Sequence, residues 1–243
     1  MFDNLLNEIE DSVKSFSDFD KAREIPRIHN ENMFNKGHSM ILSSFDEIKT
    51  LTHRLGMNIV QWVEQERKVQ RMPAWQNTKS GRYPDEVQTE MRKSDQLMKE
   101  VKVDFKALYL FSKIFLDQYA KFLHFINPRD GIRSGTVEKF LNSMKESDDE
   151  FYTQFLKDFG DTADHMLNKL TFYRSKKIEH VQILNEDTWF MNDMRGGIAI
   201  QHVDRNNGKS ISTITPQELL TLVLNFSKTA SEFMTTNKSK IVR

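Results

Sequence analysis

An uninterrupted stretch in the middle of the chain constrains the fold more than any other feature. From Asp85 to Asn127 the sequence contains neither glycine nor proline, and Pro84 and Pro128 stand at its two ends. Apolar residues recur through the stretch at the three- and four-residue spacing of a helix: Val87, Met91, Met98, Val101, Phe105 and Leu108, then Leu110, Phe111, Ile114, Phe115, Tyr119, Phe122, Leu123 and Phe125. This second part is apolar on most sides, which predicts one long helix whose C-terminal half is buried.

The same spacing predicts helices on both sides of this stretch. We expect them over residues 2–17, 38–70 and 136–145, in a segment that starts near residue 147, and from residue 215 to about 235. Ser147 and Glu150 match a capping box, and Thr215, Pro216 and Glu218 supply a cap, a first-turn proline and an acidic third residue. Between them, residues 72–84 are rich in helix breakers and predict a linker or functional loop.

After residue 185 the hydrophobic period changes from that of a helix to that of a strand. Short strands are expected over residues 188–191, 198–203 and 210–213. The Asn207-Gly208 pair suits a tight hairpin turn, because both of its central positions need a positive φ. The sequence therefore predicts a mainly α protein, an up-and-down helical bundle with a small C-terminal β-hairpin and a capped final helix. Residues 1–83 are expected to form a helical segment packed on a bundle of residues 84–243.

Composition excludes several function classes. The chain of 243 residues has 35 Lys and Arg against 35 Asp and Glu, so it lacks the basic excess of a dedicated nucleic-acid or membrane-surface binder. It has no cysteine, which removes disulfides, thiolate catalysis and cysteine-bound zinc. Neither a nucleotide-binding glycine motif nor a serine-esterase motif occurs. No signal peptide or membrane span is predicted, so we expect a cytoplasmic protein without a membrane partner.

The residues with the clearest chemical potential lie together at 173–180. With about 100° of rotation per helical residue, Arg174 and His180 lie about 120° apart and Lys177 lies midway between them. The three side chains form one cationic arc, bordered by Tyr173. A guanidinium can hold a phosphate through two parallel hydrogen bonds, and an imidazole can move protons near neutral pH. Two such helices facing each other in a two-fold dimer would create a cleft able to cleave RNA.

The stretch from Arg174 to His180 resembles the Arg-x(4–6)-His motif of HEPN domains. A long aromatic-rich helix precedes it, and a short hairpin and a capped final helix follow, so the resemblance covers about residues 85–236. It implies an α-helical bundle that dimerises through the motif helix and, in many members, a metal-independent endoribonuclease that serves as a toxin or in antiviral defence. Carried over by position, Arg174 and His180 are the catalytic pair. Tyr173, Ser175 and Lys177 are the adjoining binding residues, and neither a metal nor a cofactor is implied.

The residues leave a second interpretation open. Active HEPN members commonly carry Asn, Asp or His directly after the motif arginine, where this chain has Ser175. Cationic residues late in a helix also complement its C-terminal dipole without any catalytic role. The alternative is therefore a non-catalytic helical module whose cationic arc binds an anionic ligand or lines a protein interface.

Another basic region surrounds the predicted loop at 72–84. Two aromatic residues, Trp75 and Tyr83, lie among a set of cationic ones, which comprises Arg67, Lys68, Arg71, Lys79, Arg82, Arg92 and Lys93. Basic groups interleaved with aromatic ones can hold single-stranded nucleic acid by charge and stacking, although a solvated helix end explains the same pattern. Asp164 and His165 are expected to be part of a solvated acidic cluster, and His124 to be a hydrogen-bonded core residue.

Overall fold

The computed structural model describes residues 2–21, 31–76, 83–159, 161–173, 188–192, 198–203 and 210–241, and this part of the chain is mainly helical. Its helices are α1 (Asp3–Lys21), α2 (Glu31–Arg71), α3 (Pro73–Gln76), α4 (Asp85–Ile126), α5 (Val137–Lys145), α6 (Glu150–Phe159), α7 (Asp161–Tyr173) and α8 (Pro216–Thr236), followed by a 3₁₀ turn over Lys238–Lys240. Three strands, β1 (Thr188–Asn192), β2 (Ile198–Val203) and β3 (Ser210–Ile214), lie between α7 and α8. No helix within the described ranges has both the length and the apolar character needed to cross a lipid bilayer.

Helices α2 and α4 form a long antiparallel hairpin. Ser44 Oγ donates to Gln118 Oε1 at 2.5 Å, and Gln65 Nε2 donates to Glu90 Oε2 at 2.8 Å, so residues early in one helix meet residues late in the other. The predicted long helix is confirmed, because α4 begins directly after Pro84 and ends at Ile126. Its C-terminal half supplies most of its buried aromatic residues, as the apolar pattern predicts.

Helix α1 packs beside α8 and also touches α2. Ser12 Oγ donates to Ser227 Oγ at 3.1 Å across the α1–α8 contact, and Lys49 Nζ donates to Glu10 Oε2 at 2.9 Å across the α1–α2 contact. The apolar face of α1 joins the same core as α4 and α8. Tyr119 of α4 lies at the centre of this core, where its hydroxyl donates to Ser227 O at 3.2 Å.

Helix α2 starts well before the predicted position near residue 38. In its first turns Phe34 is buried, with its ring centroid 5.1 Å from that of Phe122. Gly37 lies against the ring of Phe122, and a Cβ at position 37 would come within 2.9 Å of that ring. The contacts of Phe34 and Gly37 with Phe122 thus stabilise the part of α2 that begins at Glu31. Neither contact appears in the sequence as a helical repeat of apolar residues, which is the pattern that predicts a helix.

The starts of two helices depend on local hydrogen bonds, and the turn after α4 depends on a glycine. The predicted start of α8 is confirmed, since Thr215 Oγ1 accepts from the backbone N–H of Glu218 at 3.0 Å. The predicted capping box at Ser147 is wrong: Asp149 Oδ1 accepts from the N–H of Tyr152 at 3.0 Å, so α6 is capped two residues later. Aspartate and serine are comparably good N-cap residues, so residue type alone does not decide whether the helix begins after Ser147 or after Asp149. Gly131, after α4, takes a φ of +80°, which glycine adopts without strain.

The strands form one antiparallel sheet in the order β1-β2-β3. Phe190 pairs with Ile200, and Gln201 pairs with Thr213, so β2 hydrogen-bonds along both of its edges. The small C-terminal hairpin of the predicted fold class is therefore corrected to a three-stranded sheet, because the middle strand has two partners rather than one. The segments that join the strands, including Asn207 and Gly208, lie outside the described residues.

Candidate nucleic-acid interface

The cationic arc predicted from the sequence falls beyond the described end of α7. Arg174, Ser175, Lys177 and His180 lie outside the described residues, and Tyr173 is the last residue of α7, described in its backbone only. The helix that leads into the motif is therefore described as far as Tyr173. The arc itself, its proposed chemistry and the dimer built on it stay predictions.

The second predicted region is described in part, and it forms the free end of the α2–α4 hairpin. We define the hairpin tip as Arg67, Arg71, Trp75 and Tyr83, which lie near the end of α2, in α3 and just before α4. The rings of Trp75 and Tyr83 stack almost parallel, with centroids 4.8 Å apart and planes 9° apart. Both side chains are partly exposed. The structure therefore brings together two aromatic residues that the sequence separates by seven others.

Backbone contacts fix the positions of these two rings. The N–H of Trp75 donates to Met72 O at 2.9 Å, which closes a tight turn between α2 and α3. On the other side, Gln88 Nε2 donates to Tyr83 O at 2.7 Å, which ties the residue before Pro84 to the first turn of α4. Both rings are thus held by the ends of ordered helices. A preformed aromatic pair loses little conformational entropy when it binds a ligand.

Glu90 gathers the nearby lysines into one network. Lys68 Nζ and Lys93 Nζ each lie 2.7 Å from a Glu90 carboxylate oxygen, and Gln65 Nε2 donates to the same carboxylate at 2.8 Å. The hydrogen bonds from Lys68, Lys93 and Gln65 lower the pKa of Glu90 to about 2, so the carboxylate stays charged at neutral pH. Both lysines are consequently engaged, and their charge is partly compensated.

The arginines at the tip are in a different situation. Arg67 and Arg71 are exposed and lie four residues apart, so their side chains point from one face of α2. They line an open groove of about 530 Å³ together with Glu64, Lys68, Met72 and Pro73. Among the residues that the structure describes, neither arginine has a hydrogen-bond or ion-pair partner. Their guanidinium groups are therefore available to an anionic ligand.

The other predicted members of this region divide into two groups. Arg92 is exposed on α4, and Lys79 and Arg82 lie outside the described residues. Asp85 and Glu86 occupy the first turn of α4, where their negative charge complements the helix dipole. Asp85 and Glu86 thus have a local structural role, and among the described residues Glu64 is the one carboxylate that lines the groove beside the two α2 arginines.

A histidine contact that the sequence did not reveal joins α7 to α8. His165 Nε2 lies 3.3 Å and Lys169 Nζ lies 3.1 Å from Glu218 Oε1, beside an open groove of about 560 Å³. The expected solvated cluster at the start of α7 is confirmed, because the Asp164 side chain is 67% exposed and pairs with the surface residue Lys145 of α5. The residues concerned are far apart in the chain, and no motif spacing connects them. Both contacts fasten α7 to its neighbours.

A larger cleft of about 880 Å³ lies between the start of α6 and the end of α8. Arg129 lies over the ring of Phe151, with 5.2 Å between its guanidinium carbon and the ring centroid, and donates to Lys240 O at 3.0 Å. Asp148, Asp149 and Glu150 line the same cleft, so positive and negative groups are mixed. This arrangement anchors the chain after α4 and shows no selectivity for an anion.

Two further expectations concern histidine and metal. His124 is only half-buried, and its buried Nδ1 has no hydrogen-bond partner within the described residues, which corrects the expected hydrogen-bonded core residue. Burial lowers the pKa of His124. In the described ranges, no three His, Asp or Glu side chains lie close enough together to hold a metal ion.

Comparison of the chain with family models, with curated proteins and with solved structures finds no match. The resemblance to HEPN domains therefore rests on the stretch from Arg174 to His180 and on the elements around it.

Proposed function

We propose that this chain is a HEPN-like cytoplasmic protein that binds RNA and cleaves it without a metal ion. The observation that carries the RNA part is the hairpin tip, where two arginines without described partners lie beside a parallel pair of partly exposed rings. The chain has no net charge, so this local combination is more informative than its overall balance. Guanidinium groups bind phosphates, and flat rings stack on bases.

The chemistry is assigned to Arg174 and His180 from the sequence. His180 would take the proton from a ribose 2′-hydroxyl, whose oxygen then attacks the adjacent phosphorus. Arg174 would stabilise the added negative charge of the phosphorane, and the imidazolium formed at His180 would return its proton to the 5′-oxygen as the P–O5′ bond breaks. Lys177, between them on the arc, would hold the phosphate. Tyr173 and Ser175 would contact the flanking nucleotide.

A homodimer through the motif helix would complete this site. The two catalytic residues project about 120° apart from one helix, so one copy alone spreads them around its surface. A two-fold axis that places two motif helices face to face would set Arg174 of one copy near His180 of the other. In a toxin or defence context, such a protein would be controlled by access to this cleft.

The second candidate is a non-catalytic RNA-binding or protein-interaction module. Ser175 favours it, because active members of the family commonly have Asn, Asp or His in that position. In this case the tip would still bind its ligand, and the arc would add an anion-binding surface without bond cleavage.

The first experiment incubates the purified protein with structured and unstructured RNA in the presence of EDTA. Cleavage is expected from the wild type, with a loss of at least about a hundredfold in Arg174→Ala and His180→Ala. Arg133→Ala and His53→Ala are matched controls, since both are exposed residues elsewhere in the structure. Equal cleavage by all five proteins would eliminate the proposed pair. Intact RNA that remains bound would favour the non-catalytic module.

A mixing experiment then tests the composite dimer. Arg174→Ala and His180→Ala proteins are unfolded and refolded together, so that mixed dimers form. If each site takes its arginine and its histidine from different copies, a mixed dimer retains one intact site, and part of the activity returns. An inactive mixture that contains mixed dimers, as measured by native mass spectrometry, would contradict the shared site.

A further inference from the structure

The aromatic pair at the hairpin tip differs from the aromatic contacts of the core. Core pairs are mostly edge-to-face, as for Phe16 with Tyr119 at 89° and Tyr119 with Phe226 at 71°. Such packing leaves no free ring face. Trp75 and Tyr83 instead stack at 9° and are partly exposed. A parallel pair at a surface can be continued by another flat ring, because its outer face keeps the quadrupole that attracts one.

We propose that the hairpin tip is the docking site for an unpaired segment of RNA, with one base continuing the Trp75–Tyr83 stack and its flanking phosphates held by Arg67 and Arg71. This inference rests on the proposed function for its choice of RNA as the ligand. It adds the substrate class, which is single-stranded rather than duplex RNA.

The arginines suit phosphates that flank a stacked base. Arg67 and Arg71 project from one face of α2 just before the chain turns into α3, which carries Trp75. The groove that they line also contains the backbone turn at Met72 and Pro73. A guanidinium can form two parallel hydrogen bonds to a phosphate, and these residues have no described partner to displace. Binding would therefore not require an existing ion pair to be broken.

The lysines beside the tip stabilise it rather than bind the ligand. Lys68 and Lys93 share the Glu90 carboxylate, which links the last turns of α2 to the first turns of α4. This link holds the two helix ends that carry Arg67, Arg71 and the stacked rings. The tip is thus preorganised, and its available positive charge lies on the arginine side of α2.

Duplex RNA does not fit this surface. Its bases are already stacked on each other, and the deep major groove of an A-form helix hides their edges. A protein that offers one stacking platform and a few phosphate contacts selects strands whose bases are unstacked. The rings do not read the 2′-hydroxyl, so the platform itself should also accept single-stranded DNA.

The test measures binding of the full chain carrying His180→Ala, so that RNA stays intact, to labelled oligonucleotides of roughly ten nucleotides by fluorescence anisotropy. Trp75→Ala is expected to weaken single-stranded RNA and DNA binding by about tenfold, while Trp75→Phe restores most of it. The paired change Arg67→Ala with Arg71→Ala should reduce the magnitude of the slope of log affinity against log salt by about 1.4, because two phosphate contacts are lost. Single strands should bind more tightly than duplex RNA of the same length.

Matched controls separate the tip from a general effect. Phe125→Ala removes an exposed ring at the opposite end of α4, and Arg133→Ala removes an exposed arginine elsewhere. Both should bind like the parent protein. Circular dichroism and thermal melting of each variant report its folding, and a misfolded Trp75→Ala is replaced by Tyr83→Leu, which removes the other ring of the stack.

The outcomes of this test differ from those of the cleavage test. Unchanged affinity in a folded Trp75→Ala protein, or duplex binding as tight as that of single strands, overturns the docking site even when His180-dependent cleavage is present. Loss of binding in Trp75→Ala with controls intact supports the docking site, including when the wild type leaves RNA uncut. If the wild type binds RNA in this way but leaves it uncut, the catalytic proposal fails and the proposed binding site is supported.

Discussion

Two clusters of lysine and carboxylate side chains contain the same chemical groups in different surroundings. We define the buried cluster as Lys113, Asp117 and Glu138, where the lysine side chain is only 6% exposed. The surface cluster consists of Lys68, Glu90 and Lys93, where each lysine side chain is 58% exposed. In the buried cluster one lysine pairs with two carboxylates, whereas in the surface cluster two lysines pair with one carboxylate.

The buried cluster holds two helices together, whereas the surface cluster lies beside the proposed RNA-binding residues. In the buried cluster, Lys113 Nζ lies 2.5 Å from Asp117 Oδ1 and 2.7 Å from Glu138 Oε2, and Asp117 Oδ1 also accepts from the N–H of Val137 at 2.7 Å. These contacts fix the first turn of α5 on α4. In the surface cluster the two lysines remain in contact with water and lie beside exposed arginines, whereas the Glu90 side chain is only 12% exposed. The lysine charge near the tip can therefore change without loss of the core.

The largest expected effect comes from removing the cation of the buried cluster. Lys113→Met keeps most of the side-chain volume but leaves Asp117 and Glu138 facing each other without a cation. Breaking a buried ion pair on one side typically costs about 3–5 kcal/mol, and the carboxylates keep some exposure, so we expect the free energy of unfolding to fall by about 3 kcal/mol. Urea unfolding measures this loss.

A matched triple variant tests the cause. Adding Asp117→Asn and Glu138→Gln to Lys113→Met removes the uncompensated charges, while the amide oxygen introduced at position 117 can still accept from the N–H of Val137. Most of the lost stability should return, because neutral groups of the same shape tolerate burial better than unpaired charges. A Lys113→Met protein as stable as the wild type would show that the cluster is not structural.

A smaller effect is expected from the pH dependence of the same cluster. Burial raises the pKa of Glu138, but the hydrogen bond and charge of Lys113 outweigh it, so the pKa of Glu138 lies below its usual value of 4.5. A carboxyl with a lowered folded-state pKa stabilises the protein above its unfolded pKa, and this contribution is lost as the pH falls through the folded pKa. Glu138→Gln should therefore be less stable than the wild type near neutral pH and lie closer to it at low pH.

Urea midpoints between about pH 6 and pH 3 test this expectation. Glu232→Gln, an exposed residue of α8, is the control for a general change of charge. A Glu138→Gln protein whose stability follows the wild-type curve in parallel over the whole range would assign the acid sensitivity to other groups.

The sequence predicted those parts of the fold that depend on local pattern. The absence of glycine and proline between Asp85 and Asn127, combined with an apolar period, defined α4 closely. The Thr215 cap of α8 was predictable because the cap and its partner are three residues apart. Features that depend on residues distant in the chain were not. Lys113 and Asp117 look like an ordinary surface pair four residues apart, and only the packing of α5 makes Lys113 buried.

The candidate site shows the same division. The basic and aromatic composition of residues 67–93 was visible in the sequence, yet the parallel stack of Trp75 on Tyr83 depends on where α3 and the start of α4 lie relative to each other. The neutralisation of Lys68 by Glu90 is also a contact between helices. Composition alone therefore overstated the number of available cations. For Arg174 and His180, sequence reasoning supplies the chemistry, and their geometry lies outside the described residues.

The smallest expected effect sharpens the comparison from the surface side. Glu90→Gln keeps the hydrogen-bonding shape of the side chain but removes the charge that holds Lys68 and Lys93. If the tip binds RNA phosphates, both lysines become available, and we expect single-stranded RNA to bind a few-fold more tightly at low salt. The magnitude of the slope of log affinity against log salt should grow by about 1.4, since each of the two added phosphate contacts contributes about 0.7 for single strands.

The same variant should leave the core intact, because the lysines of this cluster are exposed and the Gln65 contact can persist. Glu232→Gln makes the same change of net charge away from the tip, so it separates local release of lysines from a general electrostatic effect. Equal gains in both variants would mean that the position of Glu90 is unimportant. Weaker binding in Glu90→Gln alone would instead mean that Glu90 orders the helix ends, because the tip would lose more from disorder than it gains from two freed cations.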